Sequence, residues 1–300
     1  MTLPMHEDQV DVSAELVRRL VAGQFPRWRD EPVRALDGPG TVNAVFRLGE
    51  RWVVRLPLHP GAAGLVRREV EAARELLGVT RFPTPEPVAL GAPGEGYPFE
   101  WSVFTWLPGT TADEVDVAHG AELARDLAGF VRDVRSLPLH GRRFTGPGRG
   151  GDLHAHDAWM AECFERSEDL RDLLDVARLR ALWSGFRRLP HVSADVVVHG
   201  DLVPGNVLVA AGRLAGVLDV GGLAPADPAL DLVVGWHLFD DPEREEFRTA
   251  VGSDGLAWVR SQAWAFQQAM GLVWYYEVTN PRMSALGRST LARIVADPLV

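Results

Sequence analysis

Stretches in which apolar residues run together or alternate are interspersed along this chain with stretches in which they recur every third or fourth position. Short apolar runs predict buried strands at Val196–Val198, at 207–209 and, after the turn residues Ala211 and Gly212, at 214–218. Residues 51–57 read as a strand stopped by Pro57, and 37–48 as a glycine-containing turn between two strands. Residues 97–109 carry aromatic and β-branched side chains up to a Pro108-Gly109 break, the pattern of a strand entering a hinge. Helical spacing marks 65–77, with Leu65, Ala73, Leu76 and Leu77 apolar, and 116–134, with Leu123, Leu127, Phe130, Val131 and Val134 on one face. Further helices are expected at 227–239, Asp241–Val251, 256–278 and 284–295, where Trp236, Trp258, Trp264 and Trp274 are expected to pack. Residues 142–151, rich in Gly and Arg, read as a loop, and no internal repeat or low-complexity tract occurs.

Three polar side chains fall at the ends of the strands in the third quarter of the chain. Asp201 follows the first within His199-Gly200-Asp201-Leu202, Asn206 opens the second, and Asp219 closes the third. That order of carboxylate, amide and carboxylate suits kinase-type phosphoryl transfer, which needs a group to orient an attacking hydroxyl and oxygen ligands for a metal bridging the phosphates. Asp201 fits the first task, and Asn206 with Asp219 fits the second, since Mg2+ is a hard cation that prefers oxygen ligands. His199, among apolar neighbours, reads as a structural imidazole holding the loop.

This segment resembles the aminoglycoside phosphotransferase family, the choline kinase and antibiotic kinase group, which is similar to protein kinases in fold. Members carry His-Gly-Asp-Leu-x-x-x-Asn, then a hydrophobic strand ending in aspartate, then Gly-Asp-Pro-Ala-x-Asp-Leu; the last element here is Ala226-Asp227-Pro228-Ala229-Leu230-Asp231-Leu232. The resemblance implies an α+β, protein-kinase-like two-lobed fold, with an N-terminal antiparallel sheet and helix and a larger, mainly helical C-terminal lobe. It implies a nucleotide-binding lobe with hinge at 1–107 and a catalytic, acceptor-binding lobe at 108–300, and puts the adenine-binding backbone at Thr105 to Leu107. Asp227 and Pro228 also make a good helix cap and first turn, and Asp231 reads as structural.

Composition narrows the setting. With 46% hydrophobic and 24% charged residues the chain is ordinary for a globular protein, and its length exceeds what one core usually serves. No apolar run is long enough for a membrane span, no secretory signal opens the chain, and the lone Cys163 excludes an intramolecular disulfide; a cytoplasmic protein is expected. All 31 basic residues are arginine. A kinase-type site normally holds the α and β phosphates with a strand lysine paired to a helix glutamate, so here Arg55 takes that place, with Glu69 as its partner. The resemblance supports both, since many bacterial members have Val-Val-Arg-Leu-Pro and Arg-x-Glu at these points.

The 37–48 turn could cover nucleotide phosphates or be an ordinary turn. Formal charge is −2 over residues 1–106 and −8 over 107–300, densest at Asp240, Asp241, Glu243, Glu245 and Glu246. That cluster reads as a solvated helix face or as part of an acceptor rim, with Glu277 or Asp157, that would concentrate a cationic acceptor. The expectation is an ATP- or GTP-dependent, Mg2+-using kinase of an aminoglycoside-like hydroxyl compound, without nucleic-acid or membrane partners. A macrolide or metabolite kinase and a nucleotide-binding regulator with little turnover remain alternatives; a protein kinase is disfavoured because no Ala-Pro-Glu follows Asp219-Val220-Gly221.

Overall fold

Strand β3 sets the pattern for the first part of the molecule: Val54 and Leu56 are fully buried on one face of the sheet, so Arg55 between them emerges on the other. The computed structural model describes residues 9–36, 42–115, 120–146, 148–170, 172–191 and 194–299. Its elements in chain order begin with α1 (Ala14–Gln24), β1 (Val33–Ala35), β2 (Asn43–Leu48), β3 (Trp52–Pro57) and the short α2 (Pro60–Ala63). Next come α3 (Val66–Leu76), β4 (Pro87–Gly91), β5 (Trp101–Thr105), β6 (Thr110–Thr111), α4 (Ala121–Arg135), α5 (Asp157–Arg166) and α6 (Val176–Phe186). The remainder is β7 (Val196–Val198), β8 (Val207–Ala210), β9 (Arg213–Val217), β10 (Ala224–Ala226), α7 (Val233–Leu238), α8 (Asp241–Val251), α9 (Gly255–Tyr275) and α10 (Pro281–Ala296). No helix among the described residues is long and apolar enough to cross a membrane.

The chain packs as two compact units. The first holds residues 1–78, 83–108 and 218–221; the second holds 79–82, 109–217 and 222–300. In the first unit a five-stranded antiparallel sheet runs β1-β2-β3-β5-β4, with Arg55 opposite Val45 on β2 and Ser102 on β5. Val17, Leu20, Val21, Phe46, Leu48, Val54, Leu56, Trp101 and Val103 form its core under α1. Helix α3 buries Val66, Glu69, Val70, Ala73 and Leu76, a three-and-four spacing that places a carboxylate within an otherwise apolar stripe. The helix is shorter than the 65–77 expected from sequence: Ala73 and Leu76 face inward, whereas Leu65 and Leu77 flank its ends and are 52% and 48% exposed.

The second unit is mainly helical. Helix α4 buries Leu123, Leu127, Phe130, Val131 and Val134 as expected but starts at Ala121, after a non-helical Gly120; residues 116–119 lie outside the described residues. Strands β6, β8 and β9 form one small sheet and β7 with β10 another, all antiparallel. The expected helix at 227–239 shrinks to α7, preceded by β10 and a 3-10 turn at Leu230–Leu232. Asp227 caps the turn that leads into α7, its Oδ1 accepting from Ala229 N–H (2.9 Å), and is also buried against Arg260 of α9, whose guanidinium donates to the carbonyls of Leu189, Pro190 and Gly151. Helix α9 ends at Tyr275, three residues short of expectation, and α10 begins three residues early at Pro281, with Asn280 accepting from Met283 N–H as its cap. Trp236, Trp258 and Trp264 are core residues, whereas Trp274 is half-buried.

One buried base bears on stability. His237 of α7 lies between Thr290 Oγ1 (2.9 Å from Nδ1) and Gln268 Oε1 (2.6 Å from Nε2), and burial pushes its pKa down to about 4 against a weaker opposing pull from Gln268. The ring is neutral in the fold and protonates in the unfolded chain near pH 6.5, so its contribution is complete above that pH and is lost as pH falls towards about 4. Urea unfolding from pH 7 to 4 should show about 3 kcal/mol of this loss, and His237→Gln should flatten the slope; an unchanged slope would remove His237 as its source.

Candidate active site

In the first unit the strand and helix patterns converge on one ion pair. Arg55 Nη1 lies 2.8 Å from Glu69 Oε1, and Arg55 Nη2 lies 3.6 Å from Asp219 Oδ1. Burial pushes the Glu69 carboxyl above its ordinary value; Arg55 opposes the shift and Asp219 adds to it. Asp219 has φ +56°, in the left-handed region that only a few per cent of non-glycine residues adopt. Gly221, two residues on, packs where a side chain's Cβ would lie 3.3 Å from Glu69 Cβ, so the turn carrying Asp219 closes directly on α3.

At the exit of β5, Thr105 N–H donates to Glu86 O (2.9 Å), Thr105 Oγ1 accepts from Glu86 N–H, and Trp106 N–H donates to Arg51 O (2.8 Å). Arg47 stacks on the Trp106 ring at 3.8 Å. Leu107 N–H has no backbone acceptor among the described residues, and with Thr105 O it forms the part of this segment not consumed by the sheet. The glycine-containing residues 37–41, one candidate for covering phosphates, lie outside the described residues, as does Pro147 of the 142–151 loop.

The second unit holds the Asp201 loop. Asp231 accepts from the backbone N–H of His199 (2.7 Å) and of Gly200 (2.9 Å), fixing the turn out of β7. Gly200 has φ +84°, and a Cβ there would meet Gly222 O at 3.2 Å, so the turn demands glycine twice over. His199 is fully buried edge-on to Phe130, and its Nδ1 accepts from Asp201 N–H at 3.3 Å, the loop-holding role expected of it. Asn206 Nδ2 donates to Asp201 O (2.9 Å) and to Asp201 Oδ2 (3.3 Å), which fixes its amide and leaves its carbonyl oxygen as the ligand-like atom. Asp201 itself remains 44% exposed at its side chain.

Of the residues expected from sequence, the structure thus brings Arg55, Glu69 and Asp219 together in one unit and Asp201 and Asn206 together in the other. The profile of the phosphotransferase enzyme family matches residues 34–266, a span that contains all of them. The chain belongs to the phosphotransferase enzyme family. Within that family it is similar to an aminoglycoside 3'-phosphotransferase of Streptomyces fradiae, with 32% identity over 168 residues, 51% of this chain and 57% of the relative. The chain spans about half the length of the curated relatives it matches. Its fold is similar to that of an aminoglycoside 2'-phosphotransferase-IIIa in its GDP complex (TM-score 0.73, 19% identity, 95% and 99% of the two chains). A macrolide 2'-phosphotransferase from Brachybacterium faecium is also similar (TM-score 0.60, 21% identity, 86% and 91%). These likenesses fit the α+β, kinase-like architecture of this family member.

Two features of this phosphotransferase-family chain were not read from its sequence. Arg149 places Nη2 3.1 Å from Asp201 Oδ1, a contact between residues 52 positions apart. Four of the five acids of the cluster also form ion pairs: Asp240 with Arg293 (2.9 Å), Asp241 with Arg244, Glu245 with Arg248 (3.5 Å) and Glu246 with Arg125 (2.6 Å). Arg187 likewise binds Asp157 and holds its carboxyl below the usual carboxylate range. The only signal for the second finding was the alternation of Arg with acid along α8.

Proposed function

We propose that the chain transfers the γ-phosphate of ATP or GTP to a hydroxyl of an aminoglycoside-like acceptor, with nucleotide binding assigned to residues 1–107 and catalysis and acceptor binding to 108–300. The observation that carries this reading is the Asp201–Asn206 arrangement: a half-exposed carboxylate on a loop pinned by Asp231, with the amide beside it held so that its oxygen is available. Asp201 orients the acceptor hydroxyl and takes its proton, and catalysis is positioning and electrostatics with no covalent enzyme intermediate. The names of the aminoglycoside phosphotransferases that the chain resembles support the acceptor class, and the GDP complex of one supports a nucleotide co-substrate.

In this reading Asn206 and Asp219 would be the Mg2+ ligands, since each offers a hard oxygen within its own unit. No group of three or more His, Cys, Asp or Glu side chains suited to a metal occurs among the described residues, so phosphate and water oxygens would complete the shell. When bound, Mg2+ neutralises charge on the phosphates. Arg55, held by Glu69, grips the phosphates, and Thr105 O with Leu107 N–H meets the adenine or guanine edge. The lone cysteine, buried Cys163, suits a reducing cytoplasm.

A panel of aminoglycosides and macrolides with either nucleotide, read by acceptor-dependent nucleotide consumption and product mass, tests the proposal; consumption that no acceptor stimulates would overturn it. Arg55→Ala should weaken nucleotide binding or turnover by roughly 1.5 to 3 kcal/mol, the worth of a charged hydrogen bond. An unchanged nucleotide Kd and rate would remove the phosphate grip from Arg55.

A further inference from the structure

Arg149 stands beside the proposed catalytic carboxylate. Its guanidinium donates to the Asp201 oxygen that Asn206 does not engage, so the two oxygens of the proposed catalytic carboxylate face an arginine and an amide. Neither member of the pair is sealed off: the Arg149 side chain is 31% exposed and that of Asp201 44%. The loop beneath Arg149 is anchored. Gly150 O accepts from Asp227 N–H (2.7 Å), Gly151 O accepts from Arg260 Nη2 (3.1 Å), and a Cβ on Gly150 would collide with Ala226 Cβ at 2.5 Å. The guanidinium is therefore a built part of the surroundings of Asp201.

An acceptor hydroxyl hydrogen-bonded to Asp201 would lie within reach of that guanidinium, together with the substituents of its neighbouring carbons. A vicinal hydroxyl can accept a hydrogen bond from Arg149, whereas a vicinal ammonium meets a like charge at ~4 Å, where repulsion is strong even at protein-surface dielectric. We infer that Arg149 is a specificity-determining residue that selects hydroxyls flanked by oxygen and rejects hydroxyls flanked by an ammonium group. This rests on the proposed phosphotransferase reading and deepens it by naming the class of hydroxyl. A polycationic acceptor remains compatible, provided its charges lie away from the reacting carbon.

Kanamycin A supplies both classes of hydroxyl in one molecule, a ring of vicinal hydroxyls and an aminosugar ring whose hydroxyls flank an amine. Phosphorylation by the full-length chain with ATP or GTP, with the product mapped by NMR, should place phosphate on the ring of vicinal hydroxyls. Kanamycin B, in which one hydroxyl of that ring is replaced by an amine, should be used less efficiently there by about tenfold in kcat/KM. Arg149→Glu should narrow or invert that ratio, and Arg149→Gln, which keeps donors without the charge, should give an intermediate value. Phosphate on a hydroxyl beside the amine, or a kanamycin A to B ratio unchanged within about twofold in both variants, overturns the inference and leaves the phosphotransferase reading standing. Absence of transfer to any aminoglycoside or macrolide by the unaltered chain overturns both.

Discussion

Asp201→Asn is expected to lower kcat for acceptor phosphorylation by about 100- to 10,000-fold, the range that a positioned general base contributes, with nucleotide Kd nearly unchanged. Asparagine keeps the shape of the side chain and the contact with Asn206 in reach but removes the negative charge that is proposed to accept the hydroxyl proton and that balances Arg149. The loop should survive, because Asp231 holds it through the backbone N–H groups of His199 and Gly200 and not through Asp201. Steady-state rates with a titration of nucleotide by calorimetry check the split. Loss of transfer with retained nucleotide binding would also exclude the low-turnover regulator, while a fully active Asp201→Asn chain would remove Asp201 from the reaction.

Arg260→Ala should cost about 3 to 5 kcal/mol of folding stability, as when one partner of a buried ion pair is removed. The pair is dry: Arg260 and Asp227 side chains are 1% and 4% exposed at 2.6 Å, and the guanidinium also satisfies three carbonyl oxygens. Deleting it leaves Asp227 with Trp264 Nε1 and Ala229 N–H as donors but no compensating charge. The readout is a lower urea midpoint at unchanged m. A shift below about 1 kcal/mol would show that the pair contributes little beyond its packing. The double replacement Asp227→Leu, Arg260→Met should recover part of the loss, since the isolated buried charge disappears with its partner.

How much of this was legible beforehand depended on whether a feature is local. Asp201, Asn206 and Asp219 could be placed at strand ends because strands β7, β8 and β9 are short apolar runs separated by turn residues. Arg55 and Glu69 could be paired because a strand alternates faces and a helix repeats near every fourth residue. The ends of α3 were overextended because Leu65 and Leu77 are as apolar as the residues that face inward, and nothing in the sequence marks them as flanking the helix. The motif around Asp227 reads locally as a cap, and its buried bond to Arg260 depends on α9 packing 33 residues away. Arg149 was unreadable for the same reason, since nothing within the Gly- and Arg-rich loop says which of its arginines reaches Asp201.

The membership of residues 218–221 in the first unit has a consequence for synthesis. That unit is not finished when its sheet has been made: the piece carrying Asp219 leaves the ribosome about 110 residues after Pro108, roughly 5 to 20 s later at ordinary elongation rates. Until then the nascent sheet carries Arg55 and the buried Glu69 without the carboxylate that sits 3.6 Å from the guanidinium in the finished protein. The part of the molecule proposed to grip phosphate is thus completed only after the Asp201–Asn206 loop and the β8–β9 hairpin have been translated, which puts its maturation in step with the rest of the proposed active site.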